Sequence, residues 1–230
     1  MTAVVISGAN RGLGLEFARQ YAADGARVFA GARDPEKADE LNQAAKESDG
    51  GLSVHPLDVT DDASVRAFAR AVGQAPVDVV IANAGYFGGD RQHRLGDIDY
   101  EAFAYTMSAN ALGALRLADA FYPNLKTARG KFIAITSGMG SISDASGGYY
   151  AYRASKAALN MICRALANDL RTDGIICAPL SPGWVRTDMG GPSAPQDAAD
   201  TVREMRRRIA KYRMSDSGRF LSWDGRELDW

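Results

Sequence analysis

Apolar positions along the chain follow two alternating patterns: short unbroken runs, and longer stretches in which they recur every three or four residues. The runs, rich in β-branched residues, predict strands at 2–7, 26–32, 51–57, 77–82, 130–137, 174–180 and 218–223. The helical periodicity predicts helices at 15–24, 34–47, 61–72, 98–125, 148–172 and 195–211. Strands separated by helices must pair in parallel through right-handed crossovers. The expected fold class is therefore α/β, a doubly wound parallel sheet with a ligand crevice at the C-terminal ends of its strands. No internal repeat or low-complexity linker interrupts the pattern, so one domain over 1–230 is expected. The Gly-, Pro- and Ser-rich stretch 190–197 is the candidate for a mobile lid.

Chemistry enters at the first strand–helix junction, Gly8-Ala9-Asn10-Arg11-Gly12-Leu13-Gly14. A glycine turn between a strand and a helix lets backbone N–H groups approach a pyrophosphate, which the partial positive charge of the helix N-terminus favours. Further along, Tyr152 and Lys156 are four apart and share one face of a predicted helix. A tyrosine holds its proton to about pH 10, and a neighbouring ammonium favours the phenolate. The expectation is a Tyr152 pKa pulled down by Lys156 until the phenol serves as an acid–base catalyst.

These motifs, with Asn83-Ala84-Gly85, Asn110, Thr136-Ser137-Gly138-Met139-Gly140 and Pro182-Gly183-Trp184-Val185-Arg186-Thr187, occur in an order that resembles the short-chain dehydrogenase/reductase family over nearly the whole chain. The resemblance implies a Rossmann-like sheet in the order 3-2-1-4-5-6-7. It implies catalytic roles for Asn110, Ser137, Tyr152 and Lys156: Tyr152 protonates a carbonyl oxygen that Ser137 holds. Lys156 lowers the Tyr152 pKa and binds the nicotinamide ribose, and Asn110 fixes a water joining Lys156 to solvent. Ser137 lies fifteen residues before Tyr152, where the family spacing of thirteen falls on Met139. A two-residue insertion near 143–148 accounts for the difference, and Ser141 is the alternative serine.

For the cofactor, the resemblance implies contacts from Gly8, Asn10, Arg11, Gly12, Leu13 and Gly14, and from Asn83, Ala84 and Gly85. Pro182, Gly183, Val185 and Thr187 would receive the nicotinamide, with Thr187 and the Val185 backbone on its carboxamide. Asp58 and Val59 would lie at the adenine, a strand-end or capping role being the other reading of Asp58. The end of the second strand carries Ala32 and Arg33 where a ribose-binding carboxylate would stand. With Arg11, that makes two guanidiniums suited to a 2′-phosphate. NADP(H) is expected over NAD(H), against the reading of both arginines as surface charges, one paired with Asp34.

Within the family the chain is most similar to small C-factor-like carbonyl reductases, through 137–142, 147–160, 182–191 and the tail 217–230. A small, uncharged aldehyde or ketone is the implied substrate. Tyr86, Phe87, Met139, Tyr149, Trp184 and Met189 are candidates for an apolar, aromatic pocket, although each alone suits a core position equally. A nicotinamide-binding signalling protein with little turnover is the alternative. An extended-branch epimerase is excluded, because only about forty residues follow Thr187.

Charge and cysteine usage narrow the partners. Lys and Arg total 27 against 28 Asp and Glu, a net charge of −1, which gives no general attraction to nucleic acid or to anionic membranes. The cluster Arg203, Arg206, Arg207, Arg208, Lys211 and Arg213 reads as the solvated face of a helix, an anion-binding patch being the other reading. Cys163 and Cys177 lack metal-ligand spacing and are expected as reduced core thiols. No metal is expected. His55 and His93 fit no catalytic position. With no apolar stretch of membrane-spanning length and no secretory leader, a cytoplasmic protein is expected. The resemblance implies that helices 98–125 and 148–172 form the faces between subunits, and Ala154, Ala157, Ala158, Met161 and Ala165 on the second would allow close helix approach, so a homodimer or homotetramer is expected.

Overall fold

The computed structural model describes residues 1–88 and 94–230. Seven parallel strands form one sheet: β1 (Ala3–Ser7), β2 (Arg27–Ala32), β3 (Leu52–Pro56), β4 (Val79–Ala82), β5 (Lys131–Ile135), β6 (Ile176–Ser181) and β7 (Leu221–Ser222). Their order, β3-β2-β1-β4-β5-β6-β7, is the expected one. The helices are α1 (Gly12–Ala23), α2 (Asp39–Glu47), α3 (Asp62–Val72), α4 (Tyr100–Met107), α5 (Gly113–Ala128), α6 (Tyr150–Asp169) and α7 (Ala198–Lys211).

Side-chain alternation along each strand builds two cores. Val4 and Ile6, Val79 and Ile81, and Ile133 and Ile135 face α1, α2 and α7, where Phe17, Leu41 and Met205 are fully buried. Val5, Val80, Phe132 and Cys177 face α3, α5 and α6, among Phe68, Phe121 and Leu159. Both faces are covered, which is why the strands read as unbroken apolar runs. Each such side chain contributes roughly 1.5–3 kcal/mol by leaving water.

The register places a switch point between β1 and β4, which pair with each other while their connections leave to opposite sides. A crevice opens there above the strands' C-terminal ends, and every candidate motif lies on a loop or helix start at that edge.

Two predicted helices are interrupted. The first, 34–47, becomes a 3₁₀ turn at Pro35–Lys37 followed by α2. The other, 98–125, passes through a wide π turn at Ser108–Leu112, between α4 and α5. The stretch 190–197 closes on its neighbours: Arg186 exchanges backbone and guanidinium hydrogen bonds with residues 194–196, and the Trp184 indole donates to the Gly190 carbonyl at 2.8 Å. On α7, Arg203, Arg207 and Arg208 are exposed and pair with Asp200 and Glu204, whereas Arg206 is largely buried, paired with Asp24 and lying 4.3 Å over the Tyr21 ring. No helix among the described residues is long and apolar enough to cross a membrane.

Candidate active site

The glycine turn is held from behind by β4. Asn83 Nδ2 donates to the carbonyls of Ser7 and Gly8 at 3.1 and 3.0 Å, and Ser7 Oγ accepts from the backbone of Asn83 and Ala84 at 3.1 Å. Gly8 and Gly12 have φ of +65° and +55°, in the left-handed region. A Cβ on Gly14 would lie 2.2 Å from the Gly8 carbonyl oxygen and 2.5 Å from Asn83 Nδ2. Only glycine allows α1 to start this close to β1. The first turn of α1 has neither a capping side chain nor an acidic residue, so its N–H groups are available to an anion.

From this turn a single cleft of about 480 Å³ runs in both directions. At one end stand Arg33, Asp34, Lys37, Asp58 and Thr60; at the other stand Ala109, Thr136, Tyr152 and Lys156, with Pro182, Thr187 and Met189 along the rim. Such a cleft fits a dinucleotide: phosphate donors at the middle and cations at one end, with an acid–base pair at the other. Arg33 donates to the Tyr105 hydroxyl at 3.0 Å, while Asp34 pairs with Lys37 at 3.9 Å. Arg11 reaches across the mouth to Asp188 at 2.7 Å. Asp58 Oδ1 accepts from the Thr60 backbone at 2.8 Å and its hydroxyl at 2.7 Å, so this carboxylate shapes a turn as well as lining the cleft.

At the opposite end Tyr152 and Lys156 are both buried on one face of α6. Lys156 Nζ lies 5.6 Å from the Tyr152 ring centre and donates to the Ile135 carbonyl at 2.9 Å. Burial disfavours both charged forms. It pushes the Tyr152 phenol up to about 12, a hydrogen bond from Ser137 offsetting part of the rise, and holds Lys156 down to about 8. The expected lowering of Tyr152 by its lysine neighbour is thus reversed in the chain alone, because desolvation of the phenolate outweighs a cation that is itself desolvated.

Ser137 and Ser141 separate cleanly. Ser137 stands beside the phenol, where it offsets part of the rise in its pKa, and its Oγ accepts from the Met139 backbone at 3.1 Å. Ser141 Oγ is turned to Ser143 Oγ at 2.9 Å and to the Asp144 backbone at 3.3 Å. Met139 belongs to the short turn after Ser137. Asn110 sits in the π turn, a distortion often found at functional sites. Its Oδ1 accepts from the Tyr86 backbone at 2.6 Å, and Nδ2 donates to the Tyr86 carbonyl at 2.8 Å and to Ser155 Oγ at 2.9 Å. Both amide protons are committed, so the side chain ties the loop after β4 to α6.

The aromatic candidates divide. The Phe87 ring stands edge-on to Tyr152 at 4.8 Å and tilted to Tyr149 at 5.6 Å, while Tyr86 packs edge-on to Tyr105 at 5.2 Å. Tyr149 has φ +52°, strained for a bulky residue, directly before the helix that carries Tyr152. Trp184 is 56 % exposed and bound to Gly190, outside the cleft lining. A Cβ on Gly183 would lie 2.3 Å from Gln196 Oε1, and the backbones of Trp184 and Arg186 bond Gln196 at 3.3 and 2.9 Å, which seats the segment around Val185. Of the residues expected at the nicotinamide, Pro182 and Thr187 line the cleft.

Lys37, Tyr105 and Asp188 line the cleft but were not among the expected residues. His55 is half-buried between the Phe29 and Phe68 rings and bonds Ser53 at 2.9 Å, a structural place; His93 lies outside the described residues. Cys163 and Cys177 are both buried, and among the described residues no group of His, Cys, Asp and Glu could hold a metal ion.

The family model described as short chain dehydrogenase matches residues 2–198. The chain belongs to the short-chain dehydrogenase family. It is 48 % identical over 168 residues to the C-signal of Myxococcus xanthus, covering 72 % of this chain and all of that protein. It is 32 % identical to the 1-hydroxy-2-glutathionyl-2-methyl-3-butene dehydrogenase of Rhodococcus sp. over the full length of both. Among solved structures, the NADPH-bound carbonyl reductase from chicken fatty liver superposes with a TM-score of 0.93 at 34 % identity, covering 100 % of this chain and 99 % of that one. As a short-chain dehydrogenase, the chain is an oxidoreductase acting between carbonyl and hydroxyl groups.

Proposed function

We propose that this short-chain dehydrogenase is an NADP(H)-dependent carbonyl reductase acting on small, uncharged aldehydes or ketones. One observation carries the reading: a continuous cleft joins the Arg33–Lys37 end, the glycine turn, and a buried tyrosine beside Ser137. The NADPH-bound carbonyl reductase of the same fold supports the cofactor. Gly8, Asn10, Arg11, Gly12, Leu13 and Gly14 would hold the pyrophosphate, Arg33 and Arg11 the 2′-phosphate, and Asp58 and Val59 the adenine. Asn83, Ala84 and Gly85 would back the ribose on the nicotinamide side, with Pro182 and Thr187 beside its ring. Lys37 joins the cationic end.

When bound, the reduced nicotinamide supplies a hydride to the substrate carbon. Tyr152 would give its proton to the carbonyl oxygen and regain one from solvent, so carbonyl, hydride and one solvent proton sum to the alcohol. Ser137 holds that oxygen in line and stabilises its developing charge. A phenol at about 12 remains protonated throughout the neutral range, as a proton donor to the carbonyl oxygen must be. Lys156, protonated below about pH 8, opposes the negative charge left on Tyr152. Phe87, Tyr149 and Met189 would give the substrate an apolar surround. Leu112, Leu115 and Met161 leave apolar side chains exposed on and beside the long helices, in keeping with a homodimer or homotetramer.

NADPH consumption against a panel of aldehydes, ketones and quinones tests this reading. Activity on part of the panel, lost in Tyr152→Phe, is the expected result. The kinship with C-signal favours a second reading, a nucleotide-binding signalling protein, and NADPH binding with equal inertness of wild type and Tyr152→Phe would select it.

A further inference from the structure

Asn160 stands one helical turn beyond Lys156 on α6 and takes no part in the steps above. It is 2 % exposed, as is Thr136. Thr136 Oγ1 donates to Asn160 Oδ1 at 2.7 Å, and Asn160 Nδ2 donates to the Gly140 carbonyl at 3.3 Å. The amide has only this orientation, because a carbonyl can accept but never donate, so the nitrogen must face Gly140. Between the two anchor points lies the turn 137–140, closed by Gly140 N donating to the Ser137 carbonyl at 2.9 Å. Gly140 is seated hard on α6: a Cβ there would lie 2.9 Å from the Lys156 carbonyl carbon and 3.0 Å from Asn160 Nδ2.

We propose that Asn160 is a positioning residue, clamping both ends of the serine turn onto the helix that bears Tyr152 and Lys156, and so setting Ser137 against the phenol. Strand β5 delivers Ser137 to the cleft edge, and its Oγ accepts from Met139 N at 3.1 Å, so the hydroxyl goes where the turn goes. The amide fixes the turn from beneath. A displacement of about 1 Å at such a position costs on the order of 10²-fold in rate. The catalytic consequence rests on the carbonyl-reductase reading; the clamp itself does not.

Three variants test it: Asn160→Leu, Thr136→Val, and the two combined. Asn160→Leu alone strands the Thr136 hydroxyl and the Gly140 carbonyl, lowering the thermal midpoint by several degrees. Adding Thr136→Val removes one stranded group, and the midpoint moves back toward wild type. On whichever carbonyl compound the wild type reduces, kcat stays down on the order of 10²-fold in the combined variant, with KM for NADPH unchanged. Thr136→Ser, which keeps the hydroxyl, retains kcat within a few-fold. In a Ser137→Ala background, Asn160→Leu lowers kcat no further. Recovery of kcat together with stability, or an independent further loss in the Ser137→Ala background, overturns the proposal. A crystal structure of the combined variant gives a readout that needs no substrate. Ser137 Oγ displaced from an unmoved Tyr152 supports the clamp, and an unchanged separation of Ser137 Oγ from the Tyr152 hydroxyl refutes it. If no compound on the panel is reduced by wild type, the reductase reading fails while this readout still judges the clamp.

Discussion

Lys156→Met should make the cofactor-free protein more stable while removing its turnover. In the folded chain the ammonium is desolvated, and its pKa falls from 10.5 to about 8. At about 1.4 kcal/mol per tenfold change, holding that charge in place costs about 3 kcal/mol at neutral pH. Methionine fills similar volume without charge, but leaves the Ile135 carbonyl without the partner it has at 2.9 Å, a loss of about 1 kcal/mol. The net gain is about 2 kcal/mol, or roughly 4–8 °C in Tm for a chain of this length. The pH dependence identifies the cause. Below about pH 8 lysine is protonated in both folded and unfolded states, so the variant's advantage is complete. Between about 8 and 10.5 the unfolded chain binds more protons than the folded one, wild type gains stability as pH rises, and the advantage shrinks. Thermal and urea unfolding at pH 6.5 and 9.5, followed by circular dichroism, measures both. A variant no more stable than wild type at pH 6.5, or a difference indifferent to pH, would refute the reasoning.

Other outcomes follow from the same geometry. Gly14→Ala places a methyl against the Gly8 carbonyl and Asn83, so it should cost about 1–3 kcal/mol of stability and weaken NADPH and NADH alike, measured by unfolding and by fluorescence titration. Arg33→Ala should raise KM for NADPH about 10–100-fold and leave NADH nearly unchanged, since a charge-assisted phosphate contact is worth about 1.5–3 kcal/mol; equal losses for both cofactors would remove Arg33 from the 2′-phosphate site. For carbonyl reduction, kcat/KM should be level from pH 6 to 7.5 and decline above about 8 as Lys156 loses its proton, with Tyr152 still protonated; a decline centred below pH 7 would implicate another group.

Much of this site was legible because its chemistry is local. The glycines of 8–14 and the pair Tyr152–Lys156 carry their geometry in their spacing, and the strand order follows from alternating elements and crossover handedness. What escaped depends on distant contacts. Lys37 read as part of a helix 34–47, yet Pro35 suits either a 3₁₀ or an α start and neither segment has a capping side chain, so packing at Ala38 breaks the helix and leaves Lys37 on the cleft. The π turn around Asn110 has no propensity signature; it is accompanied by the close approach of Gly113 to Val59, where a Cβ would lie 2.8 Å from Val59 Cγ2. Arg11 and Asp188 are 177 residues apart, and the direction of the Tyr152 shift is decided by burial, which no four-residue spacing encodes. The segment 183–186 is seated by Gln196, a partner outside the motif it matches.

The most direct measurement of the central claim is single-turnover transfer of deuterium from NADPH labelled at C4 of its nicotinamide to a reducible aldehyde or ketone. The account predicts label at the carbinol carbon of the product, at a rate that falls on the order of 10²–10⁴-fold in Tyr152→Phe. Label absent from the product on every carbonyl tried, or transfer at the same rate without the phenol, would contradict it.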